Sequence, residues 1–297
     1  MKIHSLLFFS LVVFCLMLSG CNSDNNVDKS KTGEVTLYAD YGSDSGFVSP
    51  TRTVIDASGN QTWSLTDVIN VNGQTSTSTA MPSGNVYAAF TVTATKPYYA
   101  FYPGNATNLS YSSSSHTFTY TFPSTQSYNS SAGYSFSNGV NPMVAVGSNI
   151  PYLSFYNVCG LLSVQIVANI SGVSAVRFLS ADKAVAGTAT VTPTSKTLTV
   201  SGTTLSMDVT FTSAQTLTSS SPLTVSWVLP TGTYGAGWQI QLLDSSGNVL
   251  SQYTFPTAIS ISRSCKSSAG VILFDNPGSS TPSVVGISTS GSQDGSL

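Results

Sequence analysis

Short runs in which apolar residues alternate strictly with hydroxyl-bearing residues restrict the fold of this chain more than any other feature. Two runs show the pattern most clearly, Thr117–Phe122 and Leu223–Pro230. A period of two places one residue type on each face of a β-strand, and it is typical of antiparallel sheets with one face in water. Similar runs recur from about residue 34 to 274, and no segment there has a clear helical period. The sequence therefore predicts an all-β protein.

A hairpin is predicted near the C-terminal end of this region. An alternating run from Trp238 to Leu242 is followed by Asp-Ser-Ser-Gly-Asn at 244–248 and a second run, Val249–Phe255. Aspartate, glycine and asparagine favour tight turns, and aspartate caps them with its side chain. The same explanation fits Asp56 in Asp-Ala-Ser-Gly-Asn. These two acids are interpreted as turn residues, not catalytic groups.

The composition limits the function classes. Of 297 residues, 7% are charged, 53 are serine, 36 are threonine and one is glutamate. Ordinary globular chains carry about 25% charged residues, and helical surfaces draw on Glu and Lys. The net charge of −2 comes without basic runs, which excludes a nucleic-acid footprint. His116 is the one histidine beyond residue 4, so no metal site with several histidines is expected and no cofactor is predicted.

The N-terminus is predicted to be an export signal. A short cationic start precedes an apolar run from Leu6 to Leu18, which is shorter than the ~20 residues that span a bilayer. A short membrane anchor is the less favoured alternative. The tetrad Leu18-Ser19-Gly20-Cys21 resembles the bacterial lipoprotein box, which implies removal of residues 1–20 and acylation of Cys21. Residues 21–33 then form a lipidated, polar tether.

The remaining cysteines are Cys159 and Cys265, both in the folded part of the chain. An oxidising compartment allows a disulfide, but free cysteine is also among the most buried residue types. Two separate buried thiols are favoured.

Domain organisation is predicted from length. Roughly 240 ordered residues suit two domains, and the least strand-like stretch, 123–150, suggests a boundary near residue 150, with domains over 34–150 and 151–275. Residues 276–297 are rich in Ser, Gly and Pro, and they contain one apolar patch, Val284–Ile287. Disorder is favoured for this tail, with a strand donor as the alternative.

Catalytic motifs are weak, and we expect no enzyme. The aspartates are scattered, and no Gly-x-Ser-x-Gly elbow has supporting partners. The aromatic run at Tyr98, Tyr99 and Tyr102 offers rings that could stack on sugars or contact a partner. Packing in a sheet core is favoured, because aromatic residues pair across strands.

Several segments together resemble fimbrillin-like lipoproteins of Bacteroidales. The segments are Thr51-Arg52-Thr53 with Trp63–Val71, Tyr98–Pro103, Leu153–Val164, and Ile259–Arg263 with Val271–Leu273. The resemblance covers about residues 1–275. Each piece alone is short, and their order and spacing, together with the lipoprotein box, carry the resemblance.

The resemblance implies two tandem transthyretin-like antiparallel β-sandwich domains, an outer-membrane location and a role in cell adhesion or type V pilus assembly. The implied partners are other pilus subunits, in a possible homo-polymer, or ligands on host or bacterial surfaces. In shaft subunits an arginine-specific protease removes the first strand, which corresponds here to Glu34–Tyr41 with Arg52 as the cleavage candidate. The alternative, that Arg52 is a fixed part of a Thr-Arg-Thr strand and is not cleaved, is slightly favoured over cleavage. A non-polymerising anchor or tip subunit is the alternative within the family, and a glycan-binding lipoprotein of a polysaccharide-uptake system is the alternative outside it.

Overall fold

A computed structural model describes residues 33–42, 54–55, 61–81, 87–129, 139–148, 151–274 and 283–285. For 54–55, 61–62 and 283–285 the description is confined to backbone pairing. Cys21 and Arg52 lie outside the described residues, so lipidation and processing at these positions stay predictions.

The described residues form 24 β-strands and no helix, which confirms the all-β prediction. In this part of the chain there is accordingly no helix that is long and apolar enough to cross a membrane. The first twelve strands are β1 Glu34–Tyr41, β2 Val54–Ile55, β3 Gln61–Thr62, β4 Val68–Val71, β5 Gln74–Ala80, β6 Ala88–Thr93, β7 Tyr98–Tyr102, β8 Ser110–Ser112, β9 Thr117–Phe122, β10 Thr125–Ser127, β11 Met143–Gly147 and β12 Tyr152–Asn157. The other twelve are β13 Cys159–Ala168, β14 Ile170–Leu179, β15 Ala186–Thr192, β16 Thr197–Thr204, β17 Ser206–Leu217, β18 Leu223–Pro230, β19 Gly232–Tyr234, β20 Gln239–Leu243, β21 Val249–Thr254, β22 Ile259–Ile261, β23 Lys266–Phe274 and β24 Ser283–Val285.

Seven strands close into a barrel-like sheet in the order β1-β12-β11-β7-β4-β5-β6, with β6 pairing back to β1. Alternate residues of these strands point to one side and form a buried cluster, which we call the first core. Its aromatic members are Trp63, Phe90, Tyr98, Tyr102 and Phe155. The closed sheet thus encloses its own hydrophobic interior.

Three larger sheets surround a second core. Their orders are β10-β17-β14-β20-β21, β18-β13-β23-β24 and β16-β15-β9-β8. Strand β7 belongs to both cores, because Tyr98 and Tyr102 point into the first core whereas Phe101 packs in the second. The Phe101 ring lies 4.9 Å from that of Tyr120 in β9, centroid to centroid.

Two features of the sheets differ from the sequence prediction. Three strand pairs are parallel: β1 with β12, β10 with β17, and β13 with β23. The hydroxyl face of β18 is only partly in water, because Thr224 is exposed whereas Ser226 is 1% exposed and donates to the hydroxyl of Ser163 at 3.2 Å. Further packed structure covers this face at Ser226, and serine is small enough to be buried there when its hydroxyl is bonded.

The predicted hairpin is confirmed. Strands β20 and β21 pair antiparallel around the turn. Asp244 Oδ1 accepts hydrogen bonds from the backbone nitrogens of Ser246 and Asn248, both at 2.8 Å, and Oδ2 accepts one from Asn248 Nδ2 at 2.9 Å. Asp244 therefore serves the turn, as its sequence context indicates.

Strand pairing crosses the predicted domain boundary near residue 150. β9 pairs with β15, and β10 pairs with β17. All described residues from Gly33 onward belong to one compact unit. The division at residue 150 and the tandem transthyretin-like arrangement both stay predictions.

The C-terminal tail contributes a strand. Ser283–Val285 forms β24 and pairs antiparallel with Leu273–Val271 at the edge of the four-stranded sheet. The prediction of a wholly disordered tail is therefore wrong for these three residues, since the apolar patch extends a β-ladder.

Candidate functional site: the seam closed by the first strand

Strand β1 closes the barrel-like sheet by lying between two strands that do not pair with each other. On one side Glu34–Ala39 pairs antiparallel with Thr93–Ala88 of β6. On the other, Tyr38–Tyr41 pairs parallel with Tyr152–Phe155 of β12. Without β1, two unpaired strand edges would face each other across a slot one strand wide. We call β1 together with the facing edges of β6 and β12 the seam.

The sequence of β1 explains why it forms a strand at this place. Leu37 and Ala39 are fully buried in the first core, and Val35 packs against it. Thr36, on the other face, is exposed. Because the side chains alternate, only these three residues of β1, together with Tyr41, pack against the first core. Few apolar contacts therefore hold β1 in place.

An aromatic cluster lies at the C-terminal end of β1. The indole of Trp63 stacks on Tyr41 at 5.1 Å between ring centroids. It also makes edge contacts with Phe90 of β6, Tyr102 of β7 and Phe155 of β12, at 5.6, 5.7 and 5.4 Å. Trp63 thus contacts β1 and both strands that flank it.

The residue after β1 is held by a tight contact. The Gly42 nitrogen donates to the carbonyl of Phe155 at 2.9 Å, and a Cβ at Gly42 would collide with the Tyr156 ring. The ammonium of Lys196, in the β15–β16 turn, lies 3.2 Å from the centroid of that ring. This cation–π contact connects the end of β1 to a turn in the second half of the chain.

Two segments of the fimbrillin-like resemblance meet beside this cluster. The Tyr102 hydroxyl donates to Asp67 Oδ1 at 3.2 Å, and Oδ2 of Asp67 accepts from the Ser64 nitrogen at 2.6 Å. Burial, reinforced by the Asp67 charge, raises the pKa of Tyr102 well above its ordinary value. Tyr102 is thus a neutral hydrogen-bond donor that positions Asp67.

The other two segments also meet. Arg263 Nη1 donates to the carbonyl of Asn157 at 3.3 Å, and Asn157 Nδ2 contacts the Ser264 hydroxyl at 3.5 Å. The backbone nitrogen of Ser264 then donates to the carbonyl of Cys159 at 3.0 Å. These motif residues join the start of β13 to the turn before β23, which is a structural role.

The tyrosines proposed as a glycan or partner surface do not form one. Tyr98 and Tyr102 are 4% and 3% exposed and point into the first core. Tyr99 is half-buried on the opposite face, where its ring stacks on His116 at 4.2 Å. Successive residues of a strand point to opposite faces, so three nearby tyrosines need not share a surface.

The two cysteines lie on backbone segments that are hydrogen-bonded to each other, and no disulfide joins them. Cys159 is a free, buried thiol, whose pKa is raised strongly by burial. Cys265 is half-buried, which differs from the expected pair of buried thiols. Its carbonyl accepts from the Leu161 nitrogen at 2.9 Å. Within the described ranges, no three His, Cys, Asp or Glu side chains lie close enough to hold a metal ion.

Sequence comparison finds no matching family model and no matching curated protein. Structural comparison finds a fold match that covers 86% of this chain and 96% of the other, with a TM-score of 0.50 and 11% identity. That protein is from Bacteroides ovatus. A Bacteroides uniformis protein matches with a TM-score of 0.45 and 14% identity over 85% of this chain and 98% of the other. Both are named as putative cell adhesion proteins.

A fimbrial protein from Bacteroides vulgatus matches over 84% of this chain and 98% of the other, with a TM-score of 0.41 and 10% identity. At the level of the fold, the match to the Bacteroides ovatus protein confirms the sequence resemblance.

Proposed function

We propose that this protein is a lipid-anchored surface subunit that acts in adhesion or fimbria assembly and contacts neighbouring subunits through strand replacement at β1. The lipoprotein box at Cys21, the fold shared with a protein named for cell adhesion, and the seam closed by β1 support the proposal. The mature chain is then held at the outer membrane by its acylated cysteine.

The position of β1 carries the proposal. It is the first described strand, it follows the predicted tether, and the closed sheet depends on it alone between β6 and β12. Unpaired backbone groups along two strand edges are unfavourable and readily accept an added strand. Loss of β1 therefore creates a binding site for an extended segment of another subunit.

The tail supplies a candidate donor. Residues 284–287 are Val-Val-Gly-Ile, and the described part of this segment, Ser283–Val285, already pairs as an edge strand with β23. Ser283–Val285 pairs with one neighbouring strand over three residues, whereas β1 pairs along both of its edges, so release of the tail strand should cost less than release of β1. A donor of this kind leaves its own subunit and completes the sheet of the next.

Arginine-specific proteolysis tests strand replacement directly, because the chain has three arginines: Arg52, Arg177 and Arg263. Arg177 lies in central strand β14 and forms a bidentate pair with Asp208, at 2.7 and 2.9 Å. Arg263 is bonded to Asn157. We expect the folded protein to be cut at Arg52 alone and then to form a ladder of polymers on denaturing gels run without boiling.

Two variants make this experiment specific. Arg52→Lys keeps the charge, resists the protease and should stay monomeric. A chain that ends at residue 275 should be cut at Arg52 yet form no ladder, because it lacks the donor. Ladders from the truncated chain would exclude the tail as donor. Stable monomers from the cut full chain would exclude strand replacement and favour a non-polymerising anchor or tip subunit.

Anchoring is tested separately by Cys21→Ala. The variant should move from the outer-membrane fraction to the soluble periplasmic fraction and lose incorporation of labelled palmitate. Ser19→Ala is the control: it changes a signal residue two positions before Cys21 and keeps the cysteine, so this variant should still be acylated. Unchanged fractionation of Cys21→Ala would contradict the lipid anchor.

A further inference from the structure

The C-terminal end of β1 is paired along one edge only. Pairing with β6 ends at Ala39, whereas pairing with β12 continues to Tyr41. The Gly42 nitrogen then donates to the carbonyl of Phe155 at 2.9 Å. A strand end that is held along one edge has fewer hydrogen bonds to break than one that is held along two. Local opening of β1 is therefore expected to begin at this end.

The ring of Tyr156, the β12 residue after Phe155, packs on this end of the strand. The outer edge of the ring, formed by Cε1, Cζ and Cε2, occupies the place where a Cβ on residue 42 would lie. Because Gly42 has no Cβ, the ring lies directly against the backbone that follows β1. The position of one side chain of β12 thus helps to keep the end of β1 in place.

Lys196 holds the ring from a distant part of the chain. Its ammonium lies 3.2 Å from the centroid of the Tyr156 ring, which is a cation–π contact. Lys196 is in the turn between β15 and β16, and their sheet, β16-β15-β9-β8, has no strand pairing with β1 or β12 in the part of the chain that the structure describes. The side chain therefore connects the end of β1 to a separate sheet.

The backbone at Lys196 is unusual for a lysine. Its φ is 55°, in the left-handed region where a residue with a Cβ is disfavoured and glycine is not. The neighbouring hairpin of the same sheet is built in the same way, because His116 in the β8–β9 turn has a φ of 54° and its ring stacks on Tyr99 at 4.2 Å. Each turn thus uses a left-handed residue to place a side chain on a tyrosine of the closed sheet.

We propose that Lys196 is a latch on β1: it holds the Tyr156 ring against Gly42 and so sets how readily the C-terminal end of β1 opens. The consequence for assembly rests on the proposed strand replacement. A cut at Arg52 leaves β1 joined to the tether through its N-terminal end, so the end that Lys196 holds is the one nearest the new chain end. Opening of the latch then precedes entry of a strand from another subunit.

Hydrogen–deuterium exchange of the intact chain, followed by mass spectrometry, tests the latch without assembly. Lys196→Met removes the ammonium and keeps most of the side-chain length. Exchange in peptides that contain Tyr38–Gly42 should become about 3- to 30-fold faster, as expected for the loss of a cation–π contact. Lys196→Arg keeps a cation that can lie over the ring, and it should exchange like the unaltered chain. Lys183→Met is the matched control, because the Lys183 ammonium lies 4.7 Å from the ring centroid of Tyr234 in β19.

Lys196→Gly separates the latch from the stability of the turn. Glycine adopts the left-handed φ without strain, so the free energy of unfolding should stay close to that of the unaltered chain. Exchange at the end of β1 should still become faster, because the ammonium is gone. Chemical denaturation measures the global stability of each variant. Faster exchange that merely follows a loss of global stability would overturn the proposal.

Three further results would overturn it: unchanged exchange in Lys196→Met, equal acceleration in Lys183→Met, or acceleration that Lys196→Arg does not prevent. Assembly is measured separately, as the rate at which ladders appear after the cut at Arg52. Faster ladders from Lys196→Met would support the latch as the control of strand replacement, and an unchanged rate would overturn that control. If exchange accelerates but no chain forms ladders, the latch stands and the proposed strand replacement fails.

Discussion

The side-chain amide of Gln126 lies against the backbone of Val228 as a neighbouring strand would. Its Nε2 donates to the Val228 carbonyl at 2.9 Å, and its Oε1 accepts from the Val228 nitrogen at 3.1 Å. Val228 lies in β18, at the edge of its sheet, where these two groups have no strand to pair with. Gln126, 1% exposed and itself part of β10, therefore closes a buried sheet edge and joins two sheets.

Gln126→Leu should strongly destabilise the protein. The change keeps the apolar volume but leaves a buried N–H and a buried C=O unpaired, which costs about 2–4 kcal/mol in the free energy of unfolding. Chemical denaturation monitored by tryptophan fluorescence measures the loss. Gln74→Leu, at an exposed position on β5, is the matched control and should change stability by less than about 0.5 kcal/mol. Equal losses from both variants would rule out the bridging role.

Local patterns predicted some of these elements and missed others. Strands β9 and β18 and the β20–β21 hairpin follow from the alternation of apolar and polar residues, and the first strand implied by the family resemblance, Glu34–Tyr41, coincides with β1. Gln126 lies in a stretch that the sequence marks as least strand-like. Its partner is 102 residues away, and no local pattern encodes such a contact.

The same reasoning explains the outcome at the candidate site. The bounds of β1 follow from the family resemblance, but the slot between β6 and β12 depends on which strands pair with β1. A parallel pair such as β1 with β12 joins segments more than a hundred residues apart. The alternation of apolar and polar residues along a strand specifies neither which strand pairs with it nor the direction of that strand. The three tyrosines failed as a surface because β7 has a core on each face.

Gly42→Ala should loosen the end of β1. The new methyl group collides with the Tyr156 ring, which lies under the Lys196 ammonium, so the ring must move. Overpacking of this kind costs about 1–3 kcal/mol. A double-mutant cycle with Tyr156→Ala provides the control, because the clash is absent once the ring is removed. Additive losses in thermal or chemical denaturation would show that Gly42 and Tyr156 do not interact.

Asp244 should make the β20–β21 hairpin sensitive to acid. Hydrogen bonds from Asn248 and from the turn backbone lower the pKa of this carboxyl below its ordinary value of 3.8. Since the folded pKa lies below the unfolded one, the stabilisation is complete above the unfolded pKa and is lost as pH falls through the folded pKa. Thermal melts from about pH 6 down to about pH 2 should show a smaller acid-induced decrease for Asp244→Asn than for the unaltered chain. Identical pH profiles would contradict this role.

Cys159 should resist thiol reagents in the folded protein. Its side chain is fully buried, and burial raises its pKa, so almost no reactive thiolate is present near neutral pH. Labelling with iodoacetamide at about pH 8, followed by peptide mass spectrometry, should modify half-buried Cys265 first and Cys159 only after unfolding in guanidinium. The protein is produced without residues 1–21, so that Cys159 and Cys265 are the two cysteines of the sequence that is labelled. Rapid labelling of native Cys159 would mean that the second core opens locally.

Leu37→Ala should weaken the seam at β1 more than it weakens the rest of the fold. Leu37 is fully buried in the first core and pairs in register with Phe90 of β6, so truncation leaves a cavity that costs about 2–5 kcal/mol. Hydrogen–deuterium exchange should speed up in β1 and along the facing edges of β6 and β12, while β13 and β18 keep their protection. Thr36→Ala, on the exposed face of the same strand, is the control and should change little. A uniform increase in exchange over all sheets would mean that β1 opens only when the whole molecule unfolds, which would leave no separate seam for a partner strand.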